Sequence, residues 1–210
     1  VVPEGESWSV RLGNRQTGAQ AEAMLYRIPV DTTQFDMLIL KYAAVMEDPN
    51  HNPEEQPRFR IEMLDEDMNL IAPAACNSYD FIASSELGWN TLGSNGSVLW
   101  KDWTVVGIDL SGYHGRNVLL RLTTYDCSVS GHYGYAYYNL SCAQKYIDFL
   151  SCTGGDSNVL AAPEGFTYRW YRDDSDQTMS TSRIVTLPMD NHTWYCDLGF
   201  IGNPSCSVTM

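Results

Sequence analysis

Apolar and polar residues alternate with a period of two along much of the chain. In RFRIEML, Phe59, Ile61 and Met63 fall on one face, and Arg58, Arg60 and Glu62 on the other. In VVGIDL, Val106, Ile108 and Leu110 alternate with Gly107 and Asp109. Val118, Leu120 and Leu122 share a face in VLLRLTT, as do Phe166, Tyr168 and Trp170 in FTYRWY. Successive side chains of a strand point to opposite faces, so each run predicts a half-buried strand. The run LILKYAAVM (38–46) is apolar more continuously and predicts a central strand. Turn residues separate these runs at Asp48-Pro49-Asn50, Asp65 to Asn69, Ser94-Asn95-Gly96, Gly112 to Gly115 and Pro163 to Gly165. No stretch keeps a helical period for long, and AQAEAML (19–25) fits either a helical turn or two, or a strand. In YGYAYY one face must be buried; the alternation assigns Trp103, Tyr135 and Tyr137 to the core.

These elements predict an all-β protein of two modules. The spacing of eight to ten strands over residues 1–142 suits a β-sandwich, and residues 143–210 form a second, smaller module. There a cysteine (Cys152), an inward tryptophan (Trp170) and aromatics ahead of Cys196 follow an immunoglobulin-like order. Two features depart from it: Trp194 stands two residues before Cys196 in place of tyrosine, and Cys152 lies well before the strand NVLAA.

Charge and cysteines narrow the setting. The formal net charge of -13 leaves no basic footprint of the kind that replaces phosphate counterions, which sets nucleic-acid binding aside. No apolar run reaches the ~18 residues needed to span a bilayer as a helix. The opening VVPEGESWSV lacks a basic, apolar leader, and the end at SCSVTM is abrupt; the chain reads as a mature or trimmed piece, with further domains of the same protein expected beyond it. Six cysteines (Cys76, Cys127, Cys142, Cys152, Cys196 and Cys206), none in a C-x-x-C pair, suit disulfides in an oxidising compartment. Of the fifteen possible connectivities, the expected set is Cys76–Cys127, Cys142–Cys152 and Cys196–Cys206, the last two on their short spacing.

The elements SVRLGN (9–14), YAAVMEDPNH…QPRF (42–59), WKDWTVVGIDLSGYHGRNVLLRLTTYDC (100–127) and GHYGYAYYNLSC (131–142) give the first module its character. It resembles the jelly-roll modules of large surface proteins from gut Gram-negative bacteria. Its strand order is also similar to that of MAM domains and of carbohydrate-binding modules. The resemblance implies an N-terminal jelly-roll β-sandwich followed by a small immunoglobulin-like β-sandwich. It further implies secretion or display on the extracellular side of the outer membrane, with a glycan or a surface protein as partner.

Candidate chemistry is sparse. There is no G-x-S-x-G, H-E-x-x-H or phosphate loop, so a non-catalytic module is expected. DEDMNL (65–70) begins like a calcium loop, but Leu70 stands where the glycine belongs and Cys76 where the bidentate glutamate belongs, so it reads as a hairpin turn. Glu47, Asp48 and His51 flank one turn, and Asp126 and His132 another. Glu47, Asp48 and Asp126 are the candidate ligands of a structural Ca²⁺, which the resemblance makes a familiar feature; the alternative is a hydrogen-bonded polar knot that fixes two long loops. Trp89 and Trp100 flank the loop LGSNGS and, with Tyr138, are the candidate platform for a sugar ring or a partner protein. The expected function is adhesion or glycan binding. The alternatives are a structural spacer that holds another domain off the cell surface, or a glycan-active enzyme with an unrecognised site.

Overall fold

The computed structural model describes residues 1–72, 74–84, 88–92, 97–152, 157–200 and 203–210, with the side chains of 74, 75, 151, 152, 203 and 204 left out. The expected all-β architecture is observed. The first part of the chain forms strands β1 (Val10–Gly13), β2 (Ala21–Pro29), β3 (Met37–Glu47), β4 (Arg58–Leu64), β5 (Ser78–Ile82), β6 (Asn90–Leu92), β7 (Val98–Asp109), β8 (Asn117–Tyr125) and β9 (Gly134–Ala143). One helical turn, α1 (Ala74–Asn77), precedes β5. AQAEAML therefore resolves in favour of a strand, β2.

The strands build two antiparallel sheets, β1-β9-β3-β7-β6 and β2-β8-β4-β5. Apart from the hairpins β4–β5 and β6–β7, chain-consecutive strands pass from one sheet to the other, which is the double Greek key of a jelly roll, with β6 added at the edge beside β7. The predicted faces explain the stacking. Phe59, Ile61, Met63, Val106, Ile108, Leu110, Val118, Leu120 and Leu122 all lie in the core between the sheets, each almost inaccessible to water. β3 alternates Leu38, Leu40, Tyr42, Ala44 and Met46 inward with Met37, Ile39, Lys41, Ala43 and Val45 outward. It lies between β9 and β7 at the centre of its sheet, with one face in the core and Met37 and Ala43 of the other face also buried, and its sequence is apolar nearly throughout.

The second sandwich comprises β10 (Asp148–Cys152), β11 (Ser157–Ala161), β12 (Thr167–Arg172), β13 (Ser175–Ser180), β14 (Ile184–Pro188), β15 (Trp194–Phe200) and β16 (Asn203–Thr209). Its sheets are β10-β11-β14 and β13-β12-β15-β16. This is an immunoglobulin-like sandwich in which the fourth strand has moved to the larger sheet. Trp170 on β12 is fully buried, sits opposite Cys196 of β15 in register, and donates Nε1–H to the Ser182 carbonyl at 2.9 Å.

The cysteine pairing differs from the expected one. Cys76, beside β5, is bonded to Cys206 on β16, with 5.5 Å between Cα atoms and 130 residues between them in sequence. The bond thus joins the two sandwiches. Neither Cys76–Cys127 nor Cys196–Cys206 forms, because Cys127 lies in the loop after β8 beside His51 and Cys196 points into the second core. Burial pushes the Cys196 thiol up to about 12, so it behaves as a small apolar core residue. Cys142 is a free thiol at the end of β9; the side chain of Cys152, its expected partner, lies outside the described residues.

The modules also pack directly. Met37, Ile39, Val105 and Ala143, on the outer face of the first sheet, join the second core with Phe166 and Phe200. Gly107 lets the rings approach: a β-carbon there would lie 2.6 Å from a ring carbon of Phe200 and 2.9 Å from one of Phe166. The connecting segment is laced to the first module as well. Lys145 donates its amide to Asp36 at 2.6 Å and its ammonium to Asp109 at 2.9 Å, and Gln144 bonds the Thr33 carbonyl. Among the described residues no helix is long and apolar enough to cross a membrane.

Candidate functional site

The outer face of β1-β9-β3-β7-β6 has two halves. One is covered by the second module. The other is open and holds a cleft of about 360 Å³ lined by Arg15, Ala43, Val45, Leu92, Trp100, Lys101, Asp102, Trp103, Tyr135 and Tyr137, among others.

Strand register places these groups. One row crosses the sheet from Tyr135 through Val45 to Trp100 and Asn90, and the neighbouring row pairs Tyr137 with Ala43. Small or short side chains on β3 form the floor, and aromatic rings on β9 and β7 form the walls. A bulge shapes the β7 wall. Tyr42 pairs with Thr104 and Ala44 with Lys101, so Asp102 and Trp103 together oppose Ala43. The extra residue re-aims both side chains toward the cleft, and the Asp102 carboxylate accepts the Trp103 amide at 2.8 Å.

Ring contacts stiffen the β9 wall. Tyr133 stacks on Tyr135 with centroids 6.1 Å apart, and Tyr135 meets Tyr137 edge-on at 5.9 Å. Arg15 caps this end; its guanidinium lies 5.9 Å from the Tyr135 ring centre and donates to the Tyr135 hydroxyl at 3.3 Å. Lys101 points the other way: it opposes the inward Ala44, its ammonium lies 5.8 Å from the ring centres of both Trp89 and Phe81 beside the first core, and burial holds its pKa below the ordinary lysine value. The cleft therefore offers flat apolar faces beside one guanidinium and one carboxylate.

The candidate platform of Trp89, Trp100 and Tyr138 is only partly assembled here. Trp100 lines the cleft and is 36 % exposed. Trp89 does not line it: Asn90 shares the outer face with Trp100, so the adjacent Trp89 turns the other way and packs on the first core. Tyr138 is a core residue with no exposed surface, its hydroxyl 2.7 Å from that of Tyr26. The faces of β9 differ from expectation: Ala136 and Tyr138 point inward, while Tyr135 and Tyr137 lie on the outer face and line the cleft, Tyr135 buried there at 6 % exposure as expected of it and Tyr137 half-buried. A one-residue change of phase moves every side chain to the other face. The continuation of the strand carried the signal. Tyr135, Tyr137, Asn139 and Ser141 form the face that ends in polar residues, against Ala136, Tyr138 and Leu140. The loop 93–96 between Trp89 and Trp100 lies outside the described residues.

The three carboxylates proposed for Ca²⁺ do not converge. Asp126 is 7 % exposed and accepts the Gln20 amide at 3.2 Å and the Gly134 amide at 3.1 Å. Asp48 accepts the Asn50 amide and the Gln56 side-chain amide, each at 2.8 Å. Glu47 ends β3, its amide bonded to the Tyr133 carbonyl at 3.0 Å. Backbone and amide donors occupy the two aspartates, which makes them the fastening of two loops. Asp65 in DEDMNL does the same for its hairpin turn; the amides of Asn69 and Asp67 and the Asn69 side chain hold its carboxyl below the usual range.

No protein-family model matches the chain, and no curated protein sequence matches it. The functional reading therefore rests on the chemistry of the cleft.

Proposed function

We propose that the protein is a non-catalytic, secreted or surface-displayed module that binds glycans in the cleft on the outer face of its five-stranded sheet. The observation that carries this reading is the lining: Trp100, Trp103, Tyr135 and Tyr137 around a floor of Ala43 and Val45, with Arg15 and Asp102 at hand. Aromatic faces stack on the C–H faces of sugar rings, and a few fixed polar groups select hydroxyl patterns. Glycoside hydrolysis generally needs two carboxyl groups, and among the described lining residues Asp102 is the one carboxylate, which favours binding over turnover. The disulfide between Cys76 and Cys206 fits an oxidising, extracytoplasmic setting.

The test is a glycan array followed by titration of the hits. Trp100→Ala and Tyr137→Ala are expected to weaken binding tenfold or more while leaving the melting temperature near that of the parent protein. An array without hits, or hits that survive both substitutions, would sink the reading.

A second reading, a rigid spacer, is favoured by the disulfide and the buried contact that tie the modules together. It predicts the same solution shape with and without any glycan, and no loss of function from Trp100→Ala.

A further inference from the structure

Two loops meet at one end of the jelly roll, and their meeting point has no role in the glycan reading. The first comes after β3 and carries His51; the second joins β8 to β9 and carries Cys127 and His132. Backbone bonds hold them in place. Ser128 donates to the Glu55 carbonyl at 3.2 Å, and Cys127 to the His132 carbonyl at 3.0 Å. Asn50 and Ser130 adopt left-handed conformations, with φ of 57° and 70°.

Within this frame three metal-ligating side chains converge. One donor atom from each of His51, Cys127 and His132 lies within 4.8 Å of the other two. The Cys127 sulfur is buried, 3.4 Å from His51 Nδ1, and accepts the Val129 amide at 3.3 Å. The two imidazoles stand nearly perpendicular, 5.4 Å between centres. Buried polar atoms normally find partners, yet His132 Nδ1 is buried with none among the described residues. Nor has Gln56 Oε1, which belongs to the residues lining a cavity of about 110 Å³ beside His51.

We propose that His51, Cys127 and His132 bind a thiophilic divalent transition ion of the Zn²⁺ class, cross-linking the two loops. The donor set decides the class: thiolate and imidazole suit Zn²⁺ and its borderline neighbours, whereas Ca²⁺ and Mg²⁺ require oxygen ligands. Around tetrahedral zinc, with Zn–S of about 2.3 Å and Zn–N of about 2.0–2.1 Å, neighbouring donor atoms stand roughly 3.3–3.6 Å apart. The sulfur-to-Nδ1 distance of 3.4 Å already falls there. Binding converts the Cys127 thiol to thiolate, the Zn–S bond replaces the S–H bond, and the proton leaves to solvent. Water reaching the ion through the cavity beside His51 completes the coordination.

The other cluster of this kind among the described residues, Asp173, Asp174 and His192, is exposed, with His192 Nδ1 3.1 Å from Asp173 Oδ1. It is a solvent-facing hydrogen-bonded contact on a turn and serves as the control.

The experiment is titration of the purified, disulfide-intact chain with Co²⁺, followed by competition with Zn²⁺. A near-ultraviolet thiolate-to-cobalt charge-transfer band saturating at one equivalent is expected, abolished by excess Zn²⁺. Cys127→Ser removes the band. His51→Asn and His132→Asn each weaken Co²⁺ binding more than about a hundredfold, above the ~10–100-fold that outer-shell changes cost. His192→Asn changes nothing. Circular dichroism establishes that each variant is folded, and if Cys127→Ser is not, the two histidine variants decide. No band with the folded parent protein, a band that survives Cys127→Ser, or binding lost only in His192→Asn would overturn the proposal.

Discussion

The two halves of one sheet face set the terms of this molecule. On the covered half, Gly107 and Ala143 keep the surface low, and the rings of Phe166 and Phe200 reach down from the second module. On the open half, short residues on β3 again form a floor, but here the rings rise from the sheet itself, on β7 and β9. Lys41, bonded to Glu6 at 2.6 Å, stands between the halves on β3. Small residues on an outer sheet face thus mark where rings approach. Whether those rings come from a second module of the same chain or from the sheet itself is decided by which half the second module covers.

The covered half can be broken most severely through its covalent tie. Replacing both Cys76 and Cys206 by Ser opens a connection across 130 residues, and the cost should be about 4–5 kcal/mol by the loop-entropy estimate. Urea unfolding then shows two transitions in place of one; a single transition at the parent midpoint would mean that packing alone couples the modules.

The two sides of β9 come next. Tyr138→Ala empties a fully buried site and loses the Tyr26 contact, for about 4 kcal/mol. Trp100→Ala, on the open half, should cost under ~1 kcal/mol of stability, since surface changes away from packing sites are small. Similar costs for the two would contradict the face assignment.

Gly107→Val probes the interface without touching the disulfide. Its methyls must displace Phe166 and Phe200, at about 2–3 kcal/mol by overpacking, with glycan binding unchanged. A neutral result would mean the rings have room to move aside.

The smallest effect concerns the connecting segment. Burial acts to raise the Asp109 pKa, but the Ser111 amide, its hydroxyl and the Lys145 ammonium outweigh it and hold the carboxyl below the ordinary aspartate value. The unfolded value is near 3.9, so the folded state binds this proton less readily. The stabilisation is complete above about pH 4 and disappears as pH falls through the lower folded value. Asp109 is 47 % exposed, so water screens the pair and the contribution is under ~1 kcal/mol. Asp109→Asn should flatten the acid limb of a stability–pH curve; an unaltered limb would assign the acid sensitivity elsewhere.

By itself the sequence determined the fold class and most strand faces. Where one face of a strand is plainly apolar and the other polar, as in Phe59-Ile61-Met63 or Val118-Leu120-Leu122, only one orientation buries hydrocarbon and satisfies the charges, and that orientation is observed. In YGYAYY each face carries tyrosine, Tyr135 and Tyr137 on one and Tyr138 on the other, so that window alone carries no clear preference; the apolar Leu140 and polar Asn139 and Ser141 further along the strand bear on the choice, and packing in the sandwich decided it. Disulfide choice was likewise beyond local pattern, since it depends on α1 meeting β16 across the module boundary, and a sulfur bonds to whatever thiol the fold delivers within reach. The meeting of His51 with Cys127 and His132 belongs to the same category. His51 is 76 residues from Cys127 in sequence, and only the crossing of the jelly-roll loops sets the three donors within 4.8 Å, because chemistry at a site depends on distance in space and composition records only which groups are present.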